Sequence, residues 1–270
     1  MKAIAFGGGG MTGCYLPESI PNYDLSDGYD ITNLKTLEAI FEKERPDAVL
    51  NLAAVTDVVG SEKEYLHCYE VNTIGAYFVA RMCKKYHARL CFISSVDVFD
   101  GEKESPYDPW DKRNPIVEYG HSKAAAENLI LSVLPSALIL RAAWMFGGGE
   151  KDKKFVSYIV KQIKENKPEI KAVNDTVGSA TYGKDLIKLA LVHMEADTSG
   201  IYHACNEGIT TRYDEAVLIA DTLGYKGKVT PVSSADFPKF RALKNASMNQ
   251  SFNLRSWQEA LKEYIEENYV

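Results

Sequence analysis

Three residues of this chain have types and a spacing that suit proton transfer: Ser95, Tyr119 and Lys123. Tyr119 and Lys123 stand four positions apart, which places them on the same face of a helix. Ser95 ends an apolar run that begins at Leu90 and predicts a buried strand. A phenol with a pKa of about 10 is a weak acid at neutral pH, so it needs a nearby cation that favours the phenolate. The triple predicts a site where Ser95 binds a carbonyl group and Tyr119 transfers a proton.

A glycine-rich turn follows the first predicted strand, which covers residues 2–6. Gly7, Gly10 and Gly13 form a GxxGxxG pattern in that turn. Glycine at these positions lets the backbone approach a pyrophosphate group held at a helix N-terminus. A flexible turn explains an isolated glycine cluster equally well, and a Tyr–Lys pair alone can arise by chance. The order of strand, glycine turn and second strand before Ser95 favours a dinucleotide-dependent enzyme.

The segment after this turn departs from a regular dinucleotide-binding unit. Pro17 and Pro21 would interrupt a long first helix, so we expect a short or distorted one. The acidic or basic residue that ends the second strand and selects the cofactor is hard to place within residues 22–29. The sequence therefore predicts NADPH or NADH and does not choose between them.

Apolar runs alternate with helical patterns through the first half of the chain. Strands that are apolar on both faces and separated by helices are typical of a parallel sheet covered by helices. The fold class is therefore α/β: a Rossmann-like, doubly wound parallel sheet with a smaller, interleaved C-terminal substrate-binding lobe. In this first half, strands are expected at 2–6, 48–52, 89–94 and 137–141, with a helix ending before 46 and others at 64–85 and 119–131.

The alternation becomes looser after residue 141. We expect a dinucleotide-binding domain over residues 1–145, to which later strands near 170–205 add, and a mainly substrate-binding lobe over residues 146–270. Leu254, Trp257, Leu261 and Tyr264 fall on one stripe of a terminal helix. Further helices are expected near 155–164, 184–194 and 213–223, and strands near 170–173 and 201–204.

Charge and hydropathy exclude several classes of protein. The 270 residues carry a formal net charge of −6, and the absence of a basic stripe argues against nucleic acid as a partner. No apolar run approaches the roughly 20 residues needed to cross a bilayer, and the first residues lack a signal-peptide pattern. We expect a cytoplasmic protein without a membrane partner.

Cysteine and histidine positions predict no metal site. The five cysteines have no CxxC or Cys/His spacing that suits zinc, and the five histidines do not cluster. The cysteines are expected to be reduced and buried. They are Cys14, Cys68, Cys83, Cys91 and Cys205.

With the glycine turn and the Ser, Tyr and Lys, the chain resembles an extended short-chain dehydrogenase/reductase. Five further segments, in order along the chain, resemble the dTDP-4-dehydrorhamnose reductase branch of that family. This resemblance implies NADPH- or NADH-dependent reduction of the C4 ketone of a dTDP-linked 6-deoxyhexose, which yields dTDP-L-rhamnose. The segments are Tyr-Asp-Ile-Thr-Asn at 29–33, Asn-Leu-Ala-Ala-Val-Thr at 51–56, Ile-Ser-Ser-Val-Asp-Val-Phe-Asp-Gly at 93–101, Arg-Ala-Ala-Trp-Met-Phe-Gly at 141–147 and Asn-Asp-Thr-Val-Gly at 174–178.

The resemblance also implies roles for individual residues. Ser95 would orient the ketone, Tyr119 would donate the proton, and Lys123 would lower the pKa of Tyr119 and hold the nicotinamide ribose. Trp144 would lie against the sugar ring. Cofactor contacts are implied for Gly7, Gly10, Met11, Gly13, Asp30, Ile31, Ala53, Ala54, Tyr119 and Lys123. Substrate contacts are implied for Thr56, Val58, Ser95, Val96, Trp144 and Arg241.

This chain departs from the family pattern at several places. Where the family has Ser-Thr-Asp-Tyr-Val-Phe, residues 94–99 read Ser-Ser-Val-Asp-Val-Phe, so the hydroxyl remains and the Asp-Tyr pair does not. The basic loop associated with the nucleotide diphosphate is shortened to residues 238–244, which include Arg241.

Two other functions compete with the reductase. One is a sugar-nucleotide epimerase of the same superfamily; a dehydratase is disfavoured because Val96 replaces one of its acidic residues. The other is a weakly active or inactive regulatory homologue that binds a sugar nucleotide or a dinucleotide. The irregular first helix and the short basic loop favour the regulatory homologue, whereas the intact catalytic triple favours an enzyme. The expected partner is a nucleotide-sugar substrate, and a homodimer is possible.

Overall fold

A six-stranded parallel sheet forms the centre of the protein. The computed structural model describes residues 1–236 and 243–270. The strands within them are β1 (Ala3–Phe6), β2 (Asn22–Tyr23), β3 (Ala48–Asn51), β4 (Arg89–Ser95), β5 (Leu138–Ala142), β6 (Met145–Phe146), β7 (Glu169–Val173), β8 (Val177–Gly178), β9 (Thr181–Tyr182), β10 (Gly200–His203), β11 (Thr210–Thr211), β12 (Lys228–Val232) and β13 (Asn245–Ala246).

Helices cover both faces of this sheet, as the apolar strands require. The helices are α1 (Leu34–Glu44), α2 (Val58–Ser61), α3 (Tyr65–Tyr69), α4 (Ala76–Tyr86), α5 (Glu118–Val133), α6 (Phe155–Lys164), α7 (Gly183–Glu195), α8 (Arg212–Thr222) and α9 (Trp257–Tyr269). One core cluster joins the sheet to α1, α4 and α5, and another joins its opposite face to α7. The predicted α/β fold is confirmed. No helix in the described part of the chain is long and apolar enough to cross a membrane.

The strand order places the glycine turn at the topological switch point. The sheet runs β10-β5-β4-β3-β1-β2. The chain leaves β1 toward β2 on one side and leaves the adjacent β3 toward β4 on the other, and ligands of open α/β sheets bind outside the carboxyl ends at such a point. Phe6 pairs with Asn51, and Ser95 pairs with Ala142. The glycine turn and Ser95 therefore follow strands that end at the same edge.

The remaining strands build a second, smaller unit around α6, α8 and α9. β7 pairs with β12 in a separate two-stranded sheet, whereas β10 joins the central sheet. The expectation that both later strands extend the central sheet is therefore correct for β10 and wrong for β7. Only Ile170 and Ala172 of β7 are buried, so this strand has a single apolar face and suits a sheet covered on one side. The division at residue 145 stays a prediction.

Local sequence explains three departures from regular elements. The first helix is only a 3-10 turn, Gly13–Tyr15, as the prolines after it predict. The long helix expected at 64–85 is continuous but contains a π segment, Glu70–Gly75, between α3 and α4. α9 begins at Trp257 because Ser256 and Glu259 form a capping box. Leu254 therefore precedes the helix instead of continuing its stripe.

Candidate active site

The first turn of α5 packs directly on the backbone that follows β4. β4 ends at Ser95, and a 3-10 turn covers Val96–Val98. A Cβ atom on Gly120 would stand less than 3.0 Å from the Asp97 carbonyl, so the approach requires a glycine. Because Tyr119 precedes Gly120, this contact brings its phenol to the end of β4, where the Ser95 hydroxyl is near enough to influence its pKa.

Tyr119 is arranged as a proton donor. Burial raises the pKa of its phenol, Asp97 raises it further only when its carboxyl group is ionised, and the hydroxyl group of Ser95 opposes both effects. The role of Lys123 in lowering the pKa of Tyr119 stays a prediction. A phenol that stays protonated at neutral pH suits the direction in which a ketone is reduced.

Lys123 lies one turn further along α5, buried against the sheet. It is 2% exposed, and Nζ lies 4.1 Å from the centre of the Phe92 ring. Burial lowers the pKa of its ammonium group to about 7, although the charge of Glu127 acts in the opposite direction. The cation–π contact holds Nζ over a ring in the middle of β4.

A buried ion cluster fixes α5 against β4 and β5 just beyond Lys123. Glu127 is fully buried, and its carboxylate accepts hydrogen bonds from Arg141 at 2.7 and 2.8 Å. It also accepts bonds from Ser94 at 2.6 Å and from Arg113 at 2.9 Å. Removing one partner from such a buried cluster leaves an uncompensated charge and is strongly destabilising. The cluster sets the position of the helix that carries Tyr119 and Lys123.

Asn72 connects the loop after β3 to α5. Its side-chain oxygen accepts the Val55 N–H at 2.8 Å, and its amide nitrogen donates to the Val55 carbonyl at 3.0 Å. The same nitrogen donates to the Ser122 hydroxyl at 3.1 Å. Asn72 belongs to the π segment, and such segments are frequent at functional sites because they redirect side chains. Here the segment connects the loop of residues 53–57 to α5, the helix that carries Tyr119 and Lys123.

The glycine turn has the shape that a dinucleotide requires. Gly7 has a φ of +77°, and a Cβ atom on it would stand less than 3.0 Å from the Ala53 backbone. A Cβ atom on Gly13 would meet Gly8 equally closely. At Gly10, by contrast, it would meet within 4 Å only the Gly7 carbonyl oxygen, at 3.7 Å, among the described atoms. Among the described atoms, the buried side-chain amide nitrogen of Asn51, at the end of β3, also has no hydrogen-bond partner. Open space at Gly10 and an unused donor at Asn51 fit a bound dinucleotide.

Two residues that the sequence did not identify hold the glycine turn in place. The side chain of Asn22 accepts the Gly8 N–H at 2.7 Å, and Asp24 accepts the Gly9 N–H at 2.9 Å. Burial acts to raise the pKa of Asp24, but hydrogen bonds from Ser26 and Gly9 outweigh it and lower the value. β2 contains two residues and ends directly before Asp24.

The other five predicted cofactor residues have different surroundings. Ala53 touches Gly7, and Ala54 follows it. Met11 packs against Gly148. The carboxylate of Asp30 caps its own turn by accepting the Thr32 N–H at 2.8 Å. The side chain of Ile31 is 4% exposed and belongs to the main core cluster, so it offers little surface to a ligand.

Of the predicted substrate residues, some are exposed and one lies in the core. Thr56 is exposed, and its carbonyl accepts a hydrogen bond from Lys154 at 3.3 Å. Val58 begins α2 and is partly exposed. Val96 is 3% exposed in a core cluster beneath the strand end, so its side chain does not provide the predicted substrate contact. Arg241 lies outside the described residues.

Trp144 is partly buried and contacts two residues through its ring. Its φ of +34° is a strained value for a bulky residue. The guanidinium carbon of Arg212 lies 4.0 Å from the centre of the indole. A Cβ atom on Gly178 would stand 2.5 to 2.7 Å from three atoms of the ring, two of them at the ring fusion. These contacts fix the position of the indole, and its contact with a sugar stays a prediction.

Arg212 is a further residue that the sequence did not reveal. It also lies 4.7 Å from the Phe155 ring centre and forms a 2.7 Å ion pair with the buried Glu215. Its charge acts on Lys154, which in turn lies within electrostatic reach of Asp97. Two cations therefore lie on the lobe side of the site. Among the described residues, no group of three or more acidic, His or Cys side chains could hold a metal ion.

Comparisons with known proteins agree with this geometry. A family model described as the RmlD substrate binding domain matches residues 1–270. A dTDP-4-dehydrorhamnose reductase from Mycobacterium tuberculosis is 34% identical over 88% of this chain and 81% of its own length. The structure of a dTDP-4-dehydrorhamnose reductase from Clostridium acetobutylicum has a TM-score of 0.92 at 31% identity and covers 99% of both chains. A Bacillus anthracis dTDP-4-dehydrorhamnose reductase, solved in complex with NADP, has a TM-score of 0.92 at 29% identity, covering 99% of this chain and 100% of its own. This chain belongs to the RmlD family, whose relatives here are NAD(P)H-dependent reductases.

Proposed function

We propose that this protein reduces the C4 ketone of dTDP-4-dehydro-L-rhamnose to dTDP-L-rhamnose with a reduced nicotinamide cofactor. The observation that carries the proposal is the packing of Gly120 on the Asp97 backbone, which puts the phenol of Tyr119 beside Ser95. The family relatives named as dTDP-4-dehydrorhamnose reductases supply the substrate class.

Residues of this chain account for proton transfer to the ketone oxygen. Ser95 binds the carbonyl oxygen, and Tyr119 gives that oxygen its proton as the carbon becomes tetrahedral. Burial raises the pKa of Tyr119, so the phenol holds its proton until the oxygen becomes more basic than the phenolate. When bound, the reduced nicotinamide supplies the hydride.

Lys123 and the glycine turn would hold the cofactor. Nζ of Lys123 lies over the face of the Phe92 ring. A hydrogen bond from Nζ to a ribose hydroxyl of the cofactor would replace this weak contact. Gly7 and Gly13 give the turn its shape, and the space at Gly10 would accept the pyrophosphate.

We further propose that NADH is preferred over NADPH. An acidic residue directly after the second strand binds the 2′-hydroxyl of an NADH ribose and repels the 2′-phosphate of NADPH. Asp24 occupies that position with its carboxylate fixed by Gly9 and Ser26. The cytoplasmic location and the homodimer remain predictions of the same proposal.

The test is an absorbance assay of purified protein with the dTDP-4-keto sugar and each reduced cofactor. The proposal requires oxidation of one cofactor equivalent for each sugar reduced. An epimerase would change the sugar without net oxidation of the cofactor, and a regulatory homologue would bind the ligands without turnover. Either result would overturn the proposed activity.

A further inference from the structure

Ser95 and Asp97 form a reciprocal pair of hydrogen bonds at the end of β4. The hydroxyl group of Ser95 lies 2.6 Å from Oδ2 of Asp97, and the backbone N–H of Asp97 donates to Oγ of Ser95 at 3.2 Å. A Ser at the start of a helical turn commonly accepts a backbone N–H in this way. The side-chain contact is additional, and it connects a carboxyl group to the hydroxyl expected to bind the substrate.

A hydroxyl group has one hydrogen to donate, so its partners compete. If Asp97 is ionised, its carboxylate can only accept, and the Ser95 hydrogen is held by Asp97. Ser95 then has only lone pairs to offer to the site, and these repel a ketone oxygen. If Asp97 is protonated, its own O–H donates to Ser95, and the Ser95 hydrogen is free for the ketone.

The surroundings of Asp97 favour the protonated form. Gly120 of α5 packs on the backbone carbonyl of Asp97. The phenol of Tyr119 lies within electrostatic reach of the Asp97 carboxyl group. Burial raises the pKa of the Asp97 carboxyl, while the bond from Ser95 and the charge of Lys154 lower it to a smaller extent. The positive charge of Lys154 is shared with the carboxylates of Asp57 and Asp152. It therefore does not act on Asp97 alone.

We propose that Asp97 is a positioning residue that is held as a carboxylic acid at neutral pH and donates its hydrogen to Ser95, which donates its own to the substrate carbonyl. The inference rests on the proposed reductase function for its substrate. No proton is lost from Asp97 in the reaction, because Tyr119 supplies the one that the product keeps. The family pattern has an Asp-Tyr pair after the hydroxyl residue, so this carboxyl position is a departure of the present chain.

The first test compares pH profiles of kcat/KM for wild type, Asp97→Asn, Ser95→Ala and the double variant. Wild-type activity should fall as pH rises through the titration of Asp97, because ionisation takes the Ser95 hydrogen away. Asparagine can donate from Nδ2 at every pH, so Asp97→Asn should keep kcat within about threefold of wild type at low pH and lose this fall. In the Ser95→Ala background, Asp97→Asn should have no effect on the profile, since Asp97 acts through Ser95.

Asp57→Asn is the control for charge, since it removes another carboxylate near Lys154 without touching Ser95. It should leave the profile unchanged. A loss of about 100-fold in Asp97→Asn at all pH values would mean that an ionised carboxylate is required, and would overturn the proposal. The same fall in wild type and Asp97→Asn would overturn it as well.

A second readout does not depend on turnover. Infrared difference spectra of free wild type minus free Asp97→Asn at pH 7 should contain the carbonyl stretch of a protonated carboxylic acid. A carboxylate band in its place would overturn the proposal even if the enzyme reduces the sugar. If wild type fails to reduce any dTDP-4-keto sugar, the proposed function fails, and the infrared band still decides the protonation of Asp97. Thermal unfolding by circular dichroism verifies that each variant is folded.

Discussion

Gly7 lies so close to Ala53 that a Cβ atom on it would stand less than 3.0 Å from the Ala53 backbone nitrogen. Gly13 has the same relationship with Gly8, whereas Gly10 faces open space. Glycine is therefore needed at the three positions of this motif for different physical reasons. Two are required by the fold of the turn, and the third leaves room for something the turn binds.

Gly10→Val should weaken binding of reduced dinucleotide at least tenfold, or about 1.4 kcal/mol, without changing the melting temperature. The added side chain meets no close protein atom, so any loss reports a ligand in that space. Gly13→Val is the matched control and should lower the melting temperature as well. Titration calorimetry and circular dichroism measure the two quantities. Unchanged affinity in Gly10→Val would remove the cofactor from this turn.

Tyr119→Phe should reduce kcat by about 10²- to 10⁴-fold, because it removes the transferable proton with little change in volume. Cofactor affinity should stay near that of wild type. Steady-state kinetics and nicotinamide fluorescence provide the two measurements. A variant that keeps half of the wild-type kcat would show that another group donates the proton.

Lys123 should make stability depend on pH between about 7 and 10. Its pKa is lowered to about 7 in the folded chain, whereas an unfolded lysine stays protonated to about 10.4. The unfolded state binds more protons in this window, so the free energy of unfolding should rise with pH by up to about 1.4 kcal/mol per unit. Below pH 7 both states are protonated, and the full cost of burying the charge remains.

Lys123→Met removes the contribution of this lysine to the pH dependence of the free energy of unfolding. The difference between wild type and variant therefore separates that contribution from those of other groups that titrate in the same range. Urea unfolding at several pH values measures it. Parallel pH dependences for the two proteins would place the Lys123 pKa near its ordinary value.

Asp24→Asn should reduce discrimination between NADH and NADPH by roughly five- to tenfold, the effect expected for about 1 kcal/mol of like-charge repulsion near a surface. Wild type should bind NADH more tightly. Asp27→Asn removes the same charge from the same exposed segment without touching the glycine turn, and its preference should match that of wild type. Tighter binding of NADPH by wild type would refute the role of Asp24.

Gly178→Ala should raise KM for the nucleotide sugar several-fold without changing the affinity for the cofactor. The new methyl group would stand 2.5 Å from the indole of Trp144, so the ring must move and its stack with Arg212 must break. Kinetics with varied sugar and titration with cofactor separate the two effects. Equal losses for both ligands would mean that the indole supports the fold as a whole.

The sequence predicted those parts of the fold that depend on patterns within a single segment. Continuous apolar runs identified β1, β3, β4 and β5, because a strand buried on both faces needs no partner to be recognised. β2 was missed because two residues carry no periodicity. β12 was missed because Pro231 argues against a strand, although an edge position tolerates it.

Residues whose roles come from distant contacts were harder to predict. Asp24 could not be assigned until β2 was located, and Arg212 meets Trp144 from 68 positions away. The motif identified Trp144 but could not show that its indole contacts Gly178 and Arg212. Ser95, Tyr119 and Lys123 were identifiable because two of them share one helix and the third ends a strand. Their electrostatics depend on burial, which spacing does not reveal.

The most direct test of the central claim is transfer of deuterium from cofactor labelled at nicotinamide C4 to the sugar. Purified protein would be incubated with the labelled NADH and dTDP-4-dehydro-L-rhamnose, and the product examined by nuclear magnetic resonance and mass spectrometry. We expect dTDP-L-rhamnose with one deuterium at C4, formed by wild type and not by Tyr119→Phe. Recovery of unreduced sugar, or of product without the label at C4, would contradict the assignment as a hydride-transferring reductase.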